Sequence, residues 1–142
     1  MDVRPLDTAD REAAVELWVA SGLTRPWNDP RDDFDQAVAG PTSTVLAAFD
    51  GDHLSGTVMV GHDGHRGWVY YLAVDPPGRR HGIGRSLMTA AEAWLWARGV
   101  PKLNLMVRHD NAAAAAFYER LGYADGAVTV FGKSLRTPPA DP

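Results

Sequence analysis

The sequence predicts an α+β fold in which helices cover both faces of a mostly antiparallel sheet. Two hairpin signals, Asp50-Gly51 and Asp63-Gly64, separate apolar segments in the middle of the chain and predict consecutive antiparallel strands. A long amphipathic pattern, residues 83–98, then precedes a further apolar segment, which predicts a helical crossover between parallel strands. The predicted order is therefore β-α-α-β-β-β-α-β-α-β, with four helices.

The first half of the chain contains the signals for one strand, two helices and the hairpin strands. Pro5 lies in the first short apolar segment, and because proline cannot donate to a ladder we expect an edge strand there. Thr8 or Asp10 is expected to cap the first helix, and Asp29-Pro30 to begin the second. The second helix is expected over residues 31–39 and the hairpin strands over residues 43–49, 54–61 and 67–74.

The second half predicts a crossover helix, a parallel strand, a last helix and a final strand. Gly99 lies where the crossover helix should end. Residues 102–107 are apolar and predict the parallel strand, and the alanine-rich residues 112–121 predict the last helix. Residues 127–135 are expected to form the last strand or strands. We expect residues 1–136 to form a single domain and residues 137–142 to be a disordered tail.

The composition predicts a soluble globular protein and excludes several other classes. Of the 142 residues, 45% are hydrophobic and 23% are charged, and the absence of cysteine excludes a disulfide framework and thiolate chemistry. Without a signal peptide or a membrane-length apolar segment, a cytoplasmic protein that does not bind membranes is expected. The net charge of −4 argues against nucleic-acid binding. Residues 1–50 contain ten acids and four arginines, which favours a cationic ligand, although the helix dipole also explains acids at helix starts.

The segment before the crossover helix has the features of an anion-binding loop. Arg79-Arg80-His81-Gly82-Ile83-Gly84 combines basic side chains with two glycines directly before a helix. Glycine allows close approach of the backbone, and the helix N-terminus presents unpaired N–H groups, so phosphate is the expected ligand. A P-loop is excluded because Arg85 and Ser86 replace its Lys-Ser/Thr pair. A dinucleotide-binding loop fits only in part because Leu87 replaces the third glycine.

Two motifs resemble those of the GNAT superfamily of N-acetyltransferases. The loop from Arg79 to Gly84 fits the family pattern Arg/Gln-x-x-Gly-x-Gly/Ala between a strand and a helix. A second segment runs from Val107 through Asn111 and Phe117-Tyr118-Glu119 to Gly122-Tyr123, and it is similar to the family's strand, asparagine and following helix. Further blocks, spread along most of the chain, resemble the YpeA group of bacterial GNAT acetyltransferases.

The resemblance implies an α/β/α-like GNAT fold and acetyl-CoA as cosubstrate. The twisted sheet would have six to seven strands, with the parallel strands 4 and 5 splayed apart. The pantetheine arm would pair with the fourth strand like an added strand, and the pyrophosphate would bind the loop. The implied cofactor-binding residues are Leu72, Ala73, Val74, Arg79, Arg80, His81, Gly82, Ile83, Gly84, Arg85 and Asn111.

Some of these residues also have simpler structural roles open to them. Solvated surface charge equally accounts for at least one of Arg80 and Arg85. Asn111 is also a good N-cap for the last helix, and both roles are compatible.

Tyr118 is the catalytic residue that the resemblance implies. In many family members the matching tyrosine lies beside the thioester sulfur and protonates the departing thiolate. A phenol, with an ordinary pKa of about 10, can donate its proton to a thiolate of comparable basicity. A tyrosine that packs in the core or at its rim is the structural alternative.

The acceptor is expected to bind among loops that border the acceptor site in this family. The expected residues are Arg25, Trp27, Asn28, Asp29, His65 and Tyr70. Anchoring of their own loop is an equal alternative for Arg25 and Trp27. Tyr70 and Tyr71 are consecutive on one strand, so at most one of them should face the acceptor. The base that accepts the amine proton stays open among Tyr70, Asp63, His62 and His65.

The hypothesis is therefore a GNAT acetyltransferase that moves the acetyl group of acetyl-CoA to a primary amine by direct attack in a ternary complex. Five histidines without an HExxH motif or a cysteine predict no metal site. The alternatives are a non-catalytic acyl-CoA-binding module and, disfavoured by Leu87, a nucleotide-binding oxidoreductase. The acceptor stays open between a small molecule and a protein amine. Many family members dimerise, so a homodimer also stays open.

Overall fold

The computed structural model describes residues 2–79 and 81–136 of the chain. Arg80 and the expected disordered tail, residues 137–142, lie outside the described residues. The chain forms two compact units, Met1–Leu105 and Met106–Pro142. The first contains the sheet and three helices, and the second contains one helix.

A five-stranded sheet forms the first unit, with its strands side by side in chain order. The first four strands pair antiparallel, as the hairpin signals predict, and the last pair is parallel, as the helical crossover predicts. The strands are β1 (Asp2–Pro5), β2 (Ser43–Asp50), β3 (His53–His62), β4 (Gly67–Val74) and β5 (Leu103–Asn104). The α+β class and the mixed sheet are confirmed.

The expected number of strands, six to seven, is wrong. Residues 127–135 form no strand, and Val128, Val130 and Phe131 in this segment are more than half exposed. Residues 102–107 are strand only at Leu103–Asn104. Apolar residues in this segment favour an extended backbone, but a strand also needs a neighbouring strand with which to form hydrogen bonds. The sequence pattern does not specify that neighbour.

Three helices pack on the sheet: α1 (Arg11–Ala20), α2 (Pro30–Ala39) and α3 (Ile83–Ala97). Asp10, one of the two expected caps of the first helix, is the N-cap of α1, but its side chain makes no capping hydrogen bond to that helix. A 3-10 turn, Thr8–Asp10, precedes α1, and the carboxylate of Asp7 accepts the N–H of Ala9. The carboxylate of Asp10 in turn accepts the N–H of Asp7. This reciprocal capping box satisfies two free donors at once, so the turn begins at Asp7.

The two faces of the sheet bury different helices. Val45, Ala47 and Phe49 alternate along β2 and belong to the core that contains Trp18 of α1 and Phe34 of α2. The other face of the sheet packs against α3, whose buried Leu87 and Leu95 lie where a Cβ at Gly56 or Gly67 of the strands would meet them. The strand alternation therefore places α1 and α2 on one face and α3 on the other.

The second unit contains one helix, α4 (Ala112–Arg120). The side chain of Asn111 accepts the N–H of Ala114 at 3.0 Å, so this residue is the N-cap. Gly122, with φ of 95°, follows the last turn. In residues 2–79 and 81–136, no helix is both long enough and apolar enough to cross a membrane.

Candidate active site

A β-bulge interrupts β4 in its second half. Thr57 of β3 lies opposite Ala73, whereas Met59 lies opposite Tyr70, so Val58 alone faces two residues of β4. Tyr71, one of these two, has φ of 52°. A bulky residue in this left-handed region is strained and needs support from its surroundings. The bulge therefore has to be held by specific contacts.

Three side chains supply this support for Tyr71. Its ring stacks on buried Trp18, and its hydroxyl donates to the carboxylate of Asp33 at 2.7 Å. The buried hydroxyl of Thr57 accepts the indole N–H of Trp18 at 2.8 Å and donates to the carbonyl of Tyr71 at 3.0 Å. Burial, followed by the hydrogen bond and the charge of Asp33, raises the pKa of Tyr71 well above its ordinary value. The hydroxyl of Tyr71 is therefore a proton donor to Asp33 rather than a base.

The pair of β4 and β5 is short and opens after two positions. Gly67 lies opposite Leu103 and Trp68 opposite Asn104, and β5 ends there, whereas β4 continues to Val74. Within the described part of the first unit, the outer edge of β4 after Trp68 has no strand partner. Free N–H and C=O groups on such an edge can pair with an extended ligand that carries amides.

The N-terminus of α3 follows this open edge in the chain. Its N-cap is Gly82, with φ of 79°, and no side chain caps the helix. The N–H groups of Ile83, Gly84 and Arg85 in the first turn therefore have no side-chain acceptor from the cap, whereas Asp29 caps α2. Uncapped N–H groups at the positive end of a helix dipole bind anions well.

The side chains of this loop differ in what they can contribute. Arg79 is exposed, and its Nε donates to the carbonyl of Val74 at 3.0 Å. Arg85 is exposed, and Ile83 is buried in the core, so Ile83 offers only its backbone. His81 is exposed and lines a second cleft of about 280 Å³ beside Asp75.

A larger cleft of about 740 Å³ lies between α2, the loop before it and the strands β3 and β4. Tyr70 and Tyr71 both line it, although consecutive residues of a regular strand face opposite sides of the sheet. The extra residue of the bulge breaks the alternation of β4, which is why two consecutive tyrosines reach one cleft. The lining residues are Leu23, Asn28, Asp33, Gln36, Ala37, Gly40, Thr42, Ser43, Met59, Val60, Gly61, Trp68, Tyr70 and Tyr71.

The cleft brings together only part of the predicted acceptor set. Asn28 and Tyr70 line it. Arg25 does not, because its guanidinium donates to the carbonyls of Gly22 and Thr24, each at 2.8 Å. The three other predicted residues, Trp27, Asp29 and His65, also lie outside the lining. Trp27 is partly buried. The carboxylate of Asp29 accepts the N–H of Arg31, and the backbone N–H of His65 donates to the carboxylate of Asp63. Their role in acceptor binding stays a prediction.

The environments of the four candidate bases do not identify which of them would accept the amine proton. Backbone N–H groups of Arg66 and His65 lower the pKa of Asp63, which weakens it as a base. Burial and the charge of Asp63 raise the pKa of Tyr70. His62 lies 6.1 Å from the ring of Trp94, measured between centroids. Among residues 2–79 and 81–136, no group of three or more histidines or acids is placed to hold a metal.

The second unit contains the predicted catalytic tyrosine. Tyr118 lies on α4, and its ring makes edge contacts with Phe117 and Tyr123 at centroid distances of 5.1 and 5.9 Å. Burial raises the pKa of Tyr118. The hydroxyl therefore keeps its proton at neutral pH, as a general acid must. Asn111, the other predicted residue of this unit, is exposed and caps α4.

Comparison with known proteins assigns the family. A family model described as the acetyltransferase (GNAT) family matches residues 11–123. An acetyltransferase of Pectobacterium atrosepticum is 42% identical over 135 residues, which cover 95% of this chain and 96% of that relative. The chain belongs to the GNAT acetyltransferase family. The resemblance of the two sequence motifs is thereby confirmed.

Solved GNAT structures share the fold. The acetyltransferase AAC(6')-Iy, in complex with the bisubstrate analogue CoA-S-monomethyl-acetylneamine, has a TM-score of 0.82 at 14% identity, covering 94% of this chain and 97% of that chain. The ribosomal-protein-S18-alanine N-acetyltransferase of Escherichia coli has a TM-score of 0.73 at 29% identity, and the match covers 85% of this chain and 76% of that chain. Their names give different acceptors, so the GNAT fold alone does not identify the acceptor.

Asp33 and Trp68 of the larger cleft were not among the residues that the sequence predicts for the site. Asp33 lies in the first turn of α2, where an acid is already explained by the helix dipole. Trp68 lies in an apolar strand and is explained by packing. The excess of acids in residues 1–50 was the one signal in the sequence that pointed toward Asp33.

Proposed function

We propose that this protein transfers the acetyl group of acetyl-CoA to a primary amine, by direct attack within a ternary complex. The observation that carries the proposal is the open edge of β4 after Trp68, which leads along the chain to the uncapped N-terminus of α3. An extended ligand with amides at one end and a pyrophosphate at the other fits these two features in that order. Membership of the GNAT acetyltransferase family supports the same reaction.

The cofactor would be held mainly by main-chain groups. The backbone of Leu72, in the bulge, and of Ala73 and Val74, beyond it, would offer hydrogen-bonding groups to the pantetheine amides, although the carbonyl of Val74 also accepts from Arg79. The N–H groups at Gly82, Ile83 and Gly84 would bind the pyrophosphate. Arg79, His81 and Arg85 are exposed and would add charge near it, and Asn111 would contact the CoA arm.

The reaction requires a hydrogen-bond donor to the thioester carbonyl oxygen, a proton donor to the departing sulfur and a group that accepts the proton of the amine. A backbone N–H near Val74 would polarise the thioester carbonyl. The amine nitrogen forms a bond to the carbonyl carbon, the C–S bond breaks, and the thiolate takes the proton of Tyr118. The amine proton leaves to water or to a nearby base, and the phenolate of Tyr118 regains its proton from the solvent. No acetyl-cysteine can form because the chain contains no cysteine.

The acceptor would enter through the cleft of about 740 Å³, whose walls include Tyr70 and Asn28. This cleft is of a size that suits a small molecule or the end of a peptide. The bulge at Tyr71 lies on its wall and on the strand that would bind pantetheine, so the acceptor and the thioester would meet at the bulge.

Ligand-dependent thermal stability tests the cofactor first. The purified protein would be melted with acetyl-CoA, CoA, NADH or ATP in parallel. Acetyl-CoA at a hundred times its dissociation constant should add about 2.7 kcal/mol, which corresponds to a rise in Tm of roughly 5–10 °C. Stabilisation by NADH alone would favour the oxidoreductase instead.

Release of CoA then separates catalysis from binding. Acetyl-CoA would be mixed with a panel of amines and the free thiol measured over time. Release that depends on the amine supports the acetyltransferase. Tight binding of acetyl-CoA with no release for any amine would favour the acyl-CoA-binding module.

A further inference from the structure

Asp33 is a carboxylate of the larger cleft that lacks a cationic partner. Two other acids near it are paired, since Asp35 binds Arg11 at 3.0 Å and Glu12 binds Arg31 at 2.7 Å. Across residues 2–79 and 81–136, no arginine, lysine or histidine forms an ion pair with Asp33. Its side chain is partly buried and accepts a hydrogen bond from the hydroxyl of Tyr71. A partly buried carboxylate gains from a cation that reaches it.

The rest of the cleft favours a cation at this place. Among the residues that the structure describes, Asp33 is the one charged residue that lines the cleft. Three aromatic residues, Trp68, Tyr70 and Tyr71, line the same cleft, and aromatic faces attract cations. Arg25, which could have neutralised this field, is bound to the carbonyls of its own loop. The cleft therefore combines a carboxylate with aromatic walls and no positive charge of its own among its lining residues.

We propose that Asp33 binds a second, non-reacting ammonium group of the acceptor, so that the preferred acceptors are diamines. This proposal rests on the acetyltransferase function proposed above. The amine that attacks has to be unprotonated, whereas a carboxylate partner stabilises the protonated form of an amine. One amine cannot therefore both rest on Asp33 and react. An acceptor with two amines separates the roles, because one stays charged on Asp33 while the other attacks the thioester.

Two purely structural roles for Asp33 would give different experimental results. In the first, the carboxylate only holds the hydroxyl of Tyr71. Replacement Tyr71→Phe removes that hydrogen bond and leaves the charge, so the binding of amines should survive it only if the charge itself is recognised. In the second, Asp33 only complements the dipole of α2. Its exposed neighbour Asp32 lies in the same turn and outside the cleft lining, so Asp32→Asn is the matched control.

The test compares pentane-1,5-diamine with 5-aminopentan-1-ol, which has the same length and a hydroxyl in place of one amine. Binding of each to the full-length protein would be measured by isothermal titration calorimetry at low and high salt. Each carries an ammonium that can rest on Asp33, so both should bind, and the Kd of each should rise about tenfold in Asp33→Asn because a hydrogen bond between charged groups is lost. High salt should reduce this rise in Kd. Tyr71→Phe and Asp32→Asn should bind both amines about as tightly as the wild-type protein does.

Release of CoA from acetyl-CoA, measured with the same two amines, distinguishes the two proposals. Binding of both amines that requires Asp33 supports the cation site, even if no CoA is released and the acetyltransferase proposal fails, and faster CoA release with the diamine supports the diamine preference. Equal CoA release for both amines in the wild-type protein would overturn the diamine preference and leave acetyl transfer standing, and binding that is unchanged in Asp33→Asn would overturn the cation site. A preference that is unchanged in Asp33→Asn would overturn it as well. The comparison of the two amines on the wild-type protein needs no variant to fold.

Discussion

The ring of Tyr71 stacks on the indole of Trp18, with the ring centroids 3.9 Å apart and the planes 14° apart. This contact joins α1 to the bulge of β4. The indole N–H also binds the hydroxyl of Thr57, which in turn donates to the carbonyl of Tyr71. Trp18 thus supports the strained backbone of Tyr71 from two directions.

Replacement Trp18→Phe should destabilise the protein more than an ordinary aromatic exchange. The smaller ring leaves a gap in the core, and the hydroxyl of Thr57 loses its buried donor. We expect a loss of about 2–4 kcal/mol in the free energy of unfolding, measured in urea. The control is Trp96→Phe, at a tryptophan that is 80% exposed, where the change should stay within about 0.5 kcal/mol. Equal losses in the two variants would contradict the support role of Trp18.

Gly56 lies where β3 meets both β4 and α3. A Cβ there would lie 2.9 Å from the carbonyl oxygen of Ala73 and 2.9 Å from the side chain of Leu87. Because the Ala73 contact is with backbone and Leu87 is fully buried, Gly56→Ala should cost roughly 1–3 kcal/mol in urea unfolding. Gly132→Ala is the control, since a Cβ there would meet nothing within 4 Å. An unchanged stability of Gly56→Ala would mean that the packing of α3 on the sheet is looser than described.

Tyr118→Phe should reduce turnover without weakening the cofactor. If its phenol protonates the thiolate, kcat should fall by about 100-fold or more, whereas the Kd of acetyl-CoA should not change. Tyr123→Phe, whose ring contacts Tyr118 edge-on, is the control and should retain kcat. Loss of acetyl-CoA binding together with kcat would remove Tyr118 from this role.

The pH profile gives a second test of Tyr118. Burial raises the pKa of its hydroxyl, so the acid form is kept up to a pH above the ordinary phenol value of about 10. The loss of kcat that comes from Tyr118 should therefore begin only above that pH. A fall in kcat that begins below about pH 9 and disappears in Tyr118→Phe would contradict the prediction.

Glu12 should contribute stability that acid removes. Hydrogen bonds from Arg31 and then Arg11 lower the pKa of this carboxylate. Its stabilising effect is therefore present above the ordinary glutamate pKa of about 4.3 and is lost as the pH falls through the lower value of the folded state. In urea unfolding, Glu12→Gln should be less stable than the wild type at about pH 7, and the gap should narrow as the pH falls below the ordinary glutamate pKa of about 4.3.

Salt and a neighbouring acid provide the controls for Glu12. The gap at neutral pH should shrink in about 1 M salt, because exposed charges are screened. Glu16, exposed on the same helix and without an ion pair in the described part of the chain, should show no such gap in Glu16→Gln. A gap that is equal at neutral and acidic pH would show that the ion pairs do not stabilise the fold.

Local signals in the sequence were sufficient for most elements of the first unit. The bounds of β4, Gly67–Val74, were predicted without error, because a turn signal precedes the strand and a proline pair follows it. Asp29-Pro30 was also correct as the start of α2, since its cap and its proline act within a few residues. Such features depend on short-range sterics and hydrogen bonds.

Features that depend on distant partners were missed. The bulge at Tyr71 exists because Trp18, Thr57 and Asp33 hold it, and these residues lie on three other elements. The final strand was predicted from the local sequence, although residues 127–135 have no ladder partner among the described residues. Asp33 looked like one of several acids at a helix start, and its place in the cleft could not be read from its position in the chain.

The sequence alone determined the class of the fold, the order of the helices and of the first five strands, and the family motifs, because hydrophobic period, turn residues and glycine spacing are local properties. Tertiary structure decided how β4 bends, which tyrosines share the cleft and which carboxylate lies in the cleft without a cation. Each of these depends on contacts between residues far apart in the chain, as Tyr71 and Asp33 are. Local sequence patterns do not specify which distant side chains contact each other, and those contacts form the site.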